Sequence, residues 1–399
     1  MLSRWLVGIA IIVVIASGVE ATDIEFGGQI RPRTEFRDPV GNGHDVFTSM
    51  RARLNITANL DQDVNVFIQL QDVRLWGEET NTFTDYNADN FDFHQAYMDI
   101  KDMGDTALSL RIGRQAIGLG GQRIIGAVEW AQQGRAFDGV IATARPQWGT
   151  VQGVGVRLSD TTAEGISGNA YLAALYATAS GTNTSADFYS IYHHVSPKGF
   201  NRSDNTRLWT LGARIYGEKS NWTYRAEGSF QTGERRGPNG SAFMFGGRLG
   251  TTLGNGSLTL WYDYLSGDGN EKDSKWKSFD TLFATNHKYY GFADLFLNIP
   301  VHTQNLGLQD FAIKVSVPLD DEEQVRLAAD GHVFFLAQKG NMESGHLADE
   351  LDLTLSYQYS ENVTFVTGYT IALARDAIKA LGRLNENMHW AYVMSNVSF

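Results

Sequence analysis

The chain has 399 residues, of which 43% are hydrophobic and 20% are charged, with 42 glycines, 7 prolines and no cysteine. This composition excludes an intrinsically disordered chain, and the lack of cysteine excludes a disulfide framework and a cysteine-based zinc site. A net charge of −12 argues against a nucleic-acid-binding protein. The length suits either two or three ordinary domains or one large closed sheet.

Residues 1–21 have the features of an export signal. Arg4 provides a positive charge, an apolar run extends from Trp5 to Ile15, and Val19-Glu20-Ala21 resembles a cleavage site. The alternative is an inner-membrane anchor helix, but this run is shorter than the roughly 20 residues that span a bilayer, and no basic stop-transfer flank follows. We therefore predict a cleaved signal peptide (1–21), followed by residues 22–399 without a membrane-spanning helix.

From residue 22 onwards, apolar and polar residues alternate in runs of about 9 to 14 residues. In the first run, apolar residues such as Phe26 and Ile30 alternate with polar residues such as Arg31 and Arg33. A soluble β-sandwich also alternates, but most of its strands are shorter. Long runs with one apolar and one polar face are typical of a transmembrane antiparallel β-barrel that is apolar outside and polar inside.

The links between these runs alternate in length. Short links include 60–63 and 217–221, and long links include 117–135, 233–240 and 266–308. Outer-membrane barrels have short periplasmic turns, long extracellular loops and an even number of strands. We therefore predict an all-β fold, a barrel of about 18 strands with both termini in the periplasm. This count requires residues 266–308 to form one loop, because a strand near 289–297 would make the number odd.

The stretch 111–139 combines a strand, a glycine-rich loop and the start of another strand. Arg111 shares the parity of the polar face, so we expect it to face the lumen. Arg114 has the opposite parity and is expected at the membrane rim unless the strand has already ended. Arg123 and Arg135 reach the channel only if the loop folds inwards, and we hypothesise that this loop forms the constriction.

Several motifs in this order resemble those of the bacterial alginate-export porin family. They are GRQ at 113–115, QRIIG at 122–126, GRAFDG at 134–139, TNHKYYGFADLF at 285–296 and LADELDLTLSY at 347–357. The resemblance covers essentially the whole chain after residue 21. It implies an 18-stranded outer-membrane barrel that passes an anionic polysaccharide, or fragments of one, through an arginine-lined pore.

The predicted inner faces and the loop carry many basic residues. A lipid-facing arginine at the bilayer midplane costs about 2–4 kcal/mol, which favours an inward position. The guanidinium fork matches a uronate carboxylate through two parallel hydrogen bonds. Inward acids such as Glu35, Glu227 and Asp263 are also plentiful, so we expect many of these arginines to form structural ion pairs instead. The candidate pore-lining residues are Arg31, Arg33, Arg51, Arg53, Arg111, Arg114, Arg123, Arg135, Arg214, Arg225, Arg248, Lys314 and Arg326.

The sequence thus favours a passive outer-membrane channel with no cofactor and no metal. The expected partners are an anionic saccharide, the lipid bilayer and periplasmic export proteins, with no nucleic acid. The alternatives are uptake of another small solute with 266–308 as a gate or plug, an outer-membrane hydrolase, and a closed structural barrel. We expect no enzyme, because the strand assignment provides no Ser/His/acid cluster and Ser274–Lys277 matches S-x-x-K without its partner motifs.

Overall fold

The computed structural model describes residues 23–40, 43–78, 91–160, 168–197, 205–270 and 272–399. The predicted signal peptide lies outside these residues. The strands are β1 (Asp23–Val40), β2 (Gly43–Asn59), β3 (Val64–Leu75), β4 (Phe91–Ile100), β5 (Leu108–Gln115), β6 (Phe137–Ala144), β7 (Gly149–Ser159), β8 (Gly168–Ser180), β9 (Thr184–Pro197), β10 (Thr206–Lys219), β11 (Trp222–Glu234), β12 (Asn239–Leu253), β13 (Gly256–Leu265), β14 (Leu308–Pro318), β15 (Val325–Phe335), β16 (His346–Ser360), β17 (Val363–Ala374) and β18 (Met388–Ser398). The short helices are two 3-10 turns (Met103–Asp105 and Asn286–Lys288), α1 (Ile299–His302) and α2 (Asp376–Ala380).

The strands form one closed antiparallel barrel, as predicted. Each strand pairs with its sequence neighbours, and β1 also pairs with β18, so that the sheet has 18 strands. Closure leaves neither edge with unpaired backbone groups, which is the requirement for strands in lipid. With an even number of strands, the start of β1 and the end of β18 lie at the same rim. We call this the short-turn rim and the opposite one the long-loop rim.

The alternation along the strands separates an apolar outer face from a polar inner face. Phe26 is 71% exposed and Val393 is 62% exposed, as expected for side chains that face lipid. Arg31 and Arg51 point into the lumen and are 7% and 2% exposed. Within the described residues, no helix has the length and apolarity needed to cross a membrane.

The long link between β13 and β14 was predicted correctly, whereas one other link was not. Strand β13 ends at Leu265 and β14 begins at Leu308, and no strand occurs among the described residues between them. The prediction of a long loop at 233–240 was wrong, because β11 continues to Glu234 and β12 starts at Asn239. A tight turn closes this hairpin, with Arg235 N–H donating to the Pro238 carbonyl at 2.9 Å.

The hydrophobic core lies inside the barrel near the long-loop rim. It is built by Ile125 from the link 116–136, by Phe279, Tyr289 and Phe296 from the link 266–307, and by wall residues such as Phe334. All five side chains are at most 2% exposed. The lumen is therefore narrowed by packed apolar side chains as well as by polar ones.

The seam between β1 and β18 generates a testable prediction at Gly28. Gly28 N–H donates to the Phe399 carbonyl at 2.7 Å, and a Cβ on Gly28 would lie 2.4 Å from the Phe399 ring and 2.7 Å from the Arg53 carbonyl. We expect Gly28→Val to lower the free energy of unfolding by about 1–3 kcal/mol through overpacking. Urea unfolding in lipid vesicles measures this change.

Gly155→Val is the matched control for the seam. Gly155 also lies within a strand, but a Cβ there would meet nothing within 4 Å. Equal destabilisation by the two substitutions would contradict a specific role for the contact between Gly28 and Phe399.

Candidate functional site

Two links fold into the lumen and bind each other there. They are loop A (residues 116–136) and loop B (residues 266–307). Ile125 and Phe283 form a parallel β-bridge, and Gly126 N–H donates to the Phe283 carbonyl at 2.8 Å. Thr285 N–H donates to the Gln122 carbonyl at 2.9 Å. Backbone pairing thus joins the two loops into one partition inside the barrel.

Loop A is anchored to the wall by the inward arginines of β1 and β2. Arg31 Nη1 donates to the Glu129 carbonyl at 2.9 Å, and its Nη2 donates to the Trp130 carbonyl at 3.0 Å. Arg33 Nη1 also donates to the Trp130 carbonyl, at 3.0 Å, and its guanidinium carbon lies 4.4 Å from the indole ring centroid. These arginines are buried, and their hydrogen bonds to backbone carbonyl groups position loop A. Arg33 is also paired with Glu35, with its Nε 2.8 Å from Oε1.

Two further arginines of this group share one carboxylate. Arg53 Nη1 lies 2.8 Å from Glu129 Oε2, and Arg51 Nη1 lies 3.2 Å from the same oxygen. Arg51 and Arg53 are 2% and 8% exposed, whereas the Glu129 side chain is 49% exposed. One half-exposed carboxylate therefore faces a buried pair of guanidinium groups.

Arg123 connects loop A to the opposite wall of the lumen. Its Nη2 lies 2.6 Å from Asp263 Oδ2, its Nε lies 3.5 Å from Glu227 Oε2, and it is 4% exposed. The guanidinium carbon also lies 4.2 Å from the Tyr289 ring centroid. Burial by itself would lower the pKa of Arg123, but the charges of Asp263 and Glu227 outweigh it and raise the pKa well above its ordinary value.

Arg135 supports the junction between the loops. Its Nη1 donates to the Phe283 carbonyl at 2.5 Å and to the Gly126 carbonyl at 3.3 Å. Burial lowers the pKa of Arg135. This side chain binds backbone carbonyls on both loops, so its role in the structure is to hold the partition together.

Loop B is tied to the wall by two buried acids of β16. Ala293 N–H donates to Glu350 Oε1 at 2.8 Å, and Phe292 N–H donates to Asp352 Oδ2 at 3.3 Å. Gly291 has a φ of +77°, and a Cβ there would lie 2.3 Å from Glu350 Oε1. Glycine at this position therefore allows the loop to approach the carboxyl groups.

Several of the remaining candidates form ion pairs with neighbouring strands or turns. Arg111 Nε lies 2.7 Å from Asp99 Oδ1, and Arg214 Nη2 lies 2.5 Å from Asp187 Oδ2. The other pairs are Lys314 with Asp330 at 2.5 Å and Arg326 with Glu323 at 2.9 Å. Pairing within the wall accounts for these four cations.

Arg225 and Arg248 differ from the other inward cations. They lie directly opposite each other on β11 and β12, and neither is within ion-pair distance of a described carboxylate. Nε and Nη2 of Arg225 have no hydrogen-bond partner among the described residues, and Arg225 is 4% exposed. Arg248 is exposed to the lumen and lies 5.7 Å from the Trp261 ring centroid. This pair supplies positive charge that the wall does not neutralise.

The structure places Arg114 outside the lumen. Strand β5 continues to Gln115, so Arg114 shares the outer face with Leu108 and Ile112, which are 37% and 39% exposed. Its Nη1 lies 3.2 Å from Asp138 Oδ2. The strand alternation that put Arg111 inside therefore directs Arg114 outwards.

Two cations near the candidate site were missing from the sequence-based set. Arg37 ends the inward row of β1, and its Nη2 lies 2.8 Å from Glu35 Oε2. Lys288 in loop B is exposed, and its Nζ lies 5.8 Å from the Tyr289 ring centroid. The alternation of β1 continues from Glu35 to Arg37 and so predicts that Arg37 points inwards. No sequence pattern predicts where Lys288 lies.

Comparison with known proteins agrees with this architecture. The family model described as alginate export matches residues 22–391. The structure resembles OccK3 (OpdO) of Pseudomonas aeruginosa, with a TM-score of 0.66, 11% identity and coverage of 95% of this chain and 96% of that one. It also resembles OccAB2 of Acinetobacter baumannii, with a TM-score of 0.62, 10% identity and coverage of 96% and 99%. No curated protein sequence matches the chain.

The buried Arg123 generates the second prediction. Removing one partner of a buried ion pair costs about 3–5 kcal/mol, because the remaining charge stays buried without compensation. We expect Arg123→Leu to lower the free energy of unfolding by about that amount, measured by urea unfolding in vesicles. Adding Asp263→Asn should recover part of the loss.

Arg111→Leu is the control for Arg123→Leu. The Arg111 side chain is 38% exposed and paired with Asp99, and ion pairs this exposed contribute about 0–1 kcal/mol to stability. A small effect of Arg123→Leu, similar to that of Arg111→Leu, would contradict the proposed role of the cross-lumen pair.

Glu129 generates a prediction about pH. Burial would raise the pKa of Glu129, but His94 and the charges of Arg53 and Arg51 outweigh it and lower the pKa to about 2. A depressed pKa means that the stabilisation is complete above the ordinary glutamate value of about 4.3 and is lost as the pH falls through about 2. The anchoring of loop A should therefore be constant between about pH 8 and 5 and weaken below about pH 3.

A spin label on Gln133→Cys measures this anchoring, because the chain has no other cysteine and Gln133 is exposed. Label mobility should stay constant from about pH 8 to 5, and Glu129→Gln should raise it at neutral pH. An increase in mobility between about pH 8 and 5 without that substitution would contradict the assignment.

Proposed function

The chain belongs to the alginate export family, and from this we propose that it is a passive channel for anionic saccharides of the polyuronate type. It is an outer-membrane β-barrel of the porin type. The observation that carries the proposal is the pair Arg225 and Arg248, two facing lumen arginines without a described carboxylate partner. A polyanion would be the mobile counter-charge for this part of the wall.

The two arginines have different roles in this proposal. Arg248 is exposed to the lumen and can offer its planar fork to a uronate carboxylate through two parallel hydrogen bonds. Arg225 is buried beside it and contributes positive potential rather than direct contact. Lys288 is a further exposed cation close to Tyr289. A few single contacts of this kind favour entry of the anion without holding it too tightly to leave.

The arginines of β1 and β2 act on the substrate through the positive electrostatic potential that they create in the lumen. Most of their hydrogen bonds go to loop A. Among the described residues, only Glu35 and Glu129 lie within ion-pair distance of the guanidinium groups of Arg31, Arg33, Arg51 and Arg53. The excess positive charge remains in a lumen where solvent screening is weak. We propose that it attracts the anionic saccharide towards the partition, to which periplasmic export proteins deliver it.

The partition favours a second candidate function, which is the passage of small anionic solutes or short saccharides instead of a polymer. Loops A and B pack a hydrophobic core inside the barrel, and they bond to the wall at β13 through Asp263 and at β16 through Glu350. A lumen narrowed in this way suits small solutes and short saccharides. Block of the current by uronate oligomers of increasing length distinguishes the two functions, because a polymer channel accepts all lengths.

The proposed function generates a prediction about ion selectivity. We expect Arg225→Gln combined with Arg248→Gln to lower the anion-to-cation permeability ratio several-fold and to weaken polyuronate block in planar bilayers. Arg114→Gln is the matched control, because Arg114 lies on the outer face and its removal should leave both quantities unchanged. A cation-selective pore that is indifferent to polyuronate would refute the proposed function.

Removing loop B tests its role in narrowing the lumen. Asp268 N–H donates to the Asn305 carbonyl at 2.7 Å, so the two ends of the loop meet and a short Gly-Ser link can replace residues 269–304. We expect the single-channel conductance to rise several-fold in the variant that remains a folded barrel. A conductance equal to that of the complete chain would count against a narrowing role.

A further inference from the structure

A groove on the outer surface of the barrel has no place in the transport mechanism. It has a volume of about 740 Å³ and lies at the long-loop rim, between the outer face of β11–β13 and the part of loop B at 275–277. Ligand sites in proteins commonly have volumes of about 300–1,000 Å³. The groove therefore has the size of a binding site, and it opens on the side of the barrel that faces lipid.

The floor of the groove is aromatic and continues the lipid-facing surface. Phe230 and Phe243 are both 46% exposed, and the rings of Phe243 and Tyr264 stack with centroids 5.6 Å apart. Aromatic side chains at the ends of barrel strands lie at the level of the lipid headgroups. An acyl chain or the base of a headgroup can rest on this floor without leaving the bilayer.

The edge of the groove is held in place by backbone contacts of Trp276. Trp276 forms a parallel β-bridge with Gly240, and its Nε1 donates to the Gly233 carbonyl at 3.1 Å. A Cβ on Gly240 would lie 2.1 Å from the Trp276 carbonyl oxygen, so only glycine allows this close approach. These contacts position the two lysines that flank Trp276.

The charge of the groove is positive in an otherwise acidic chain. Lys275 and Lys277 line it and no aspartate or glutamate does among the described residues, although the net charge of the chain is −12. Lys277 forms an ion pair with Asp273, and its Nζ lies 3.9 Å from Asp268 Oδ1. Lys275 is exposed and has no described carboxylate within ion-pair distance. Lys275 is thus available for an external anion.

We propose that this groove binds a membrane lipid with a phosphate headgroup. The acyl chain would lie on Phe230, Phe243 and Tyr264, and the phosphate would be bound by Lys275 at the rim. Basic side chains next to a lipid-facing apolar surface are the arrangement that recognises anionic lipid headgroups. The groove is continuous with the membrane-facing side of the barrel, which supplies such lipids directly.

The test uses the complete refolded barrel in detergent, with phosphatidylglycerol as the probe and native mass spectrometry as the readout. We expect one retained lipid per barrel and about fivefold weaker retention for Lys275→Gln. Trp276→Ala should weaken retention as well, because it releases the groove edge. Lys379→Gln is the control, since Lys379 is exposed at the same rim but distant from the groove lining.

Three outcomes would overturn the proposal. Equal retention by Lys275→Gln and the unsubstituted barrel would exclude phosphate recognition at Lys275. Equal retention of diacylglycerol would show that the headgroup makes no contribution. Full displacement of the lipid by millimolar inorganic phosphate would identify a site for free anions instead. The ion selectivity of Lys275→Gln should remain unchanged, so this test is independent of the proposed channel function.

Discussion

The interior of this barrel depends on one buried ion pair, Arg123 with Asp263. Loop A leaves the wall at β5 and returns at β6. Arg123 provides its charged contacts with the opposite wall, with Nη2 2.6 Å from Asp263 Oδ2 and Nε 3.5 Å from Glu227 Oε2. Burying these charges costs desolvation free energy, so the net stabilisation of such a pair is small compared with the cost of breaking it. Its main physical effect is to specify where the loop lies.

The arginines of the lumen fall into groups with different partners. Those on β1 and β2 bind loop A, mainly through its carbonyl groups. Arg111 and Arg214 pair with carboxylates on neighbouring strands. Arg225 and Arg248 retain uncompensated charge beside the partition. An arginine-rich inner face is therefore part scaffold and part functional surface, and partners from other strands decide the role of each residue.

Strand parity was sufficient to place most of these side chains. It put Arg31, Arg51 and Arg225 inside, and it also indicated that Arg114 has the opposite orientation. Composition did not predict the tight turn after Glu234, because polar glycine-rich residues suit a tight hairpin as well as a long loop. Parity could not find Lys288, since a residue in an irregular loop has no periodic neighbour.

The sequence by itself determined the closed barrel, its strand count and its inner and outer faces. These follow from a local rule, because successive residues of a strand point to opposite sides whatever the rest of the chain does. Only the tertiary structure decided that loops A and B join inside the lumen, and which arginines bind them there. Arg123 meets Asp263 across 140 positions of sequence, and a contact of that kind depends on the curvature and closure of the whole sheet.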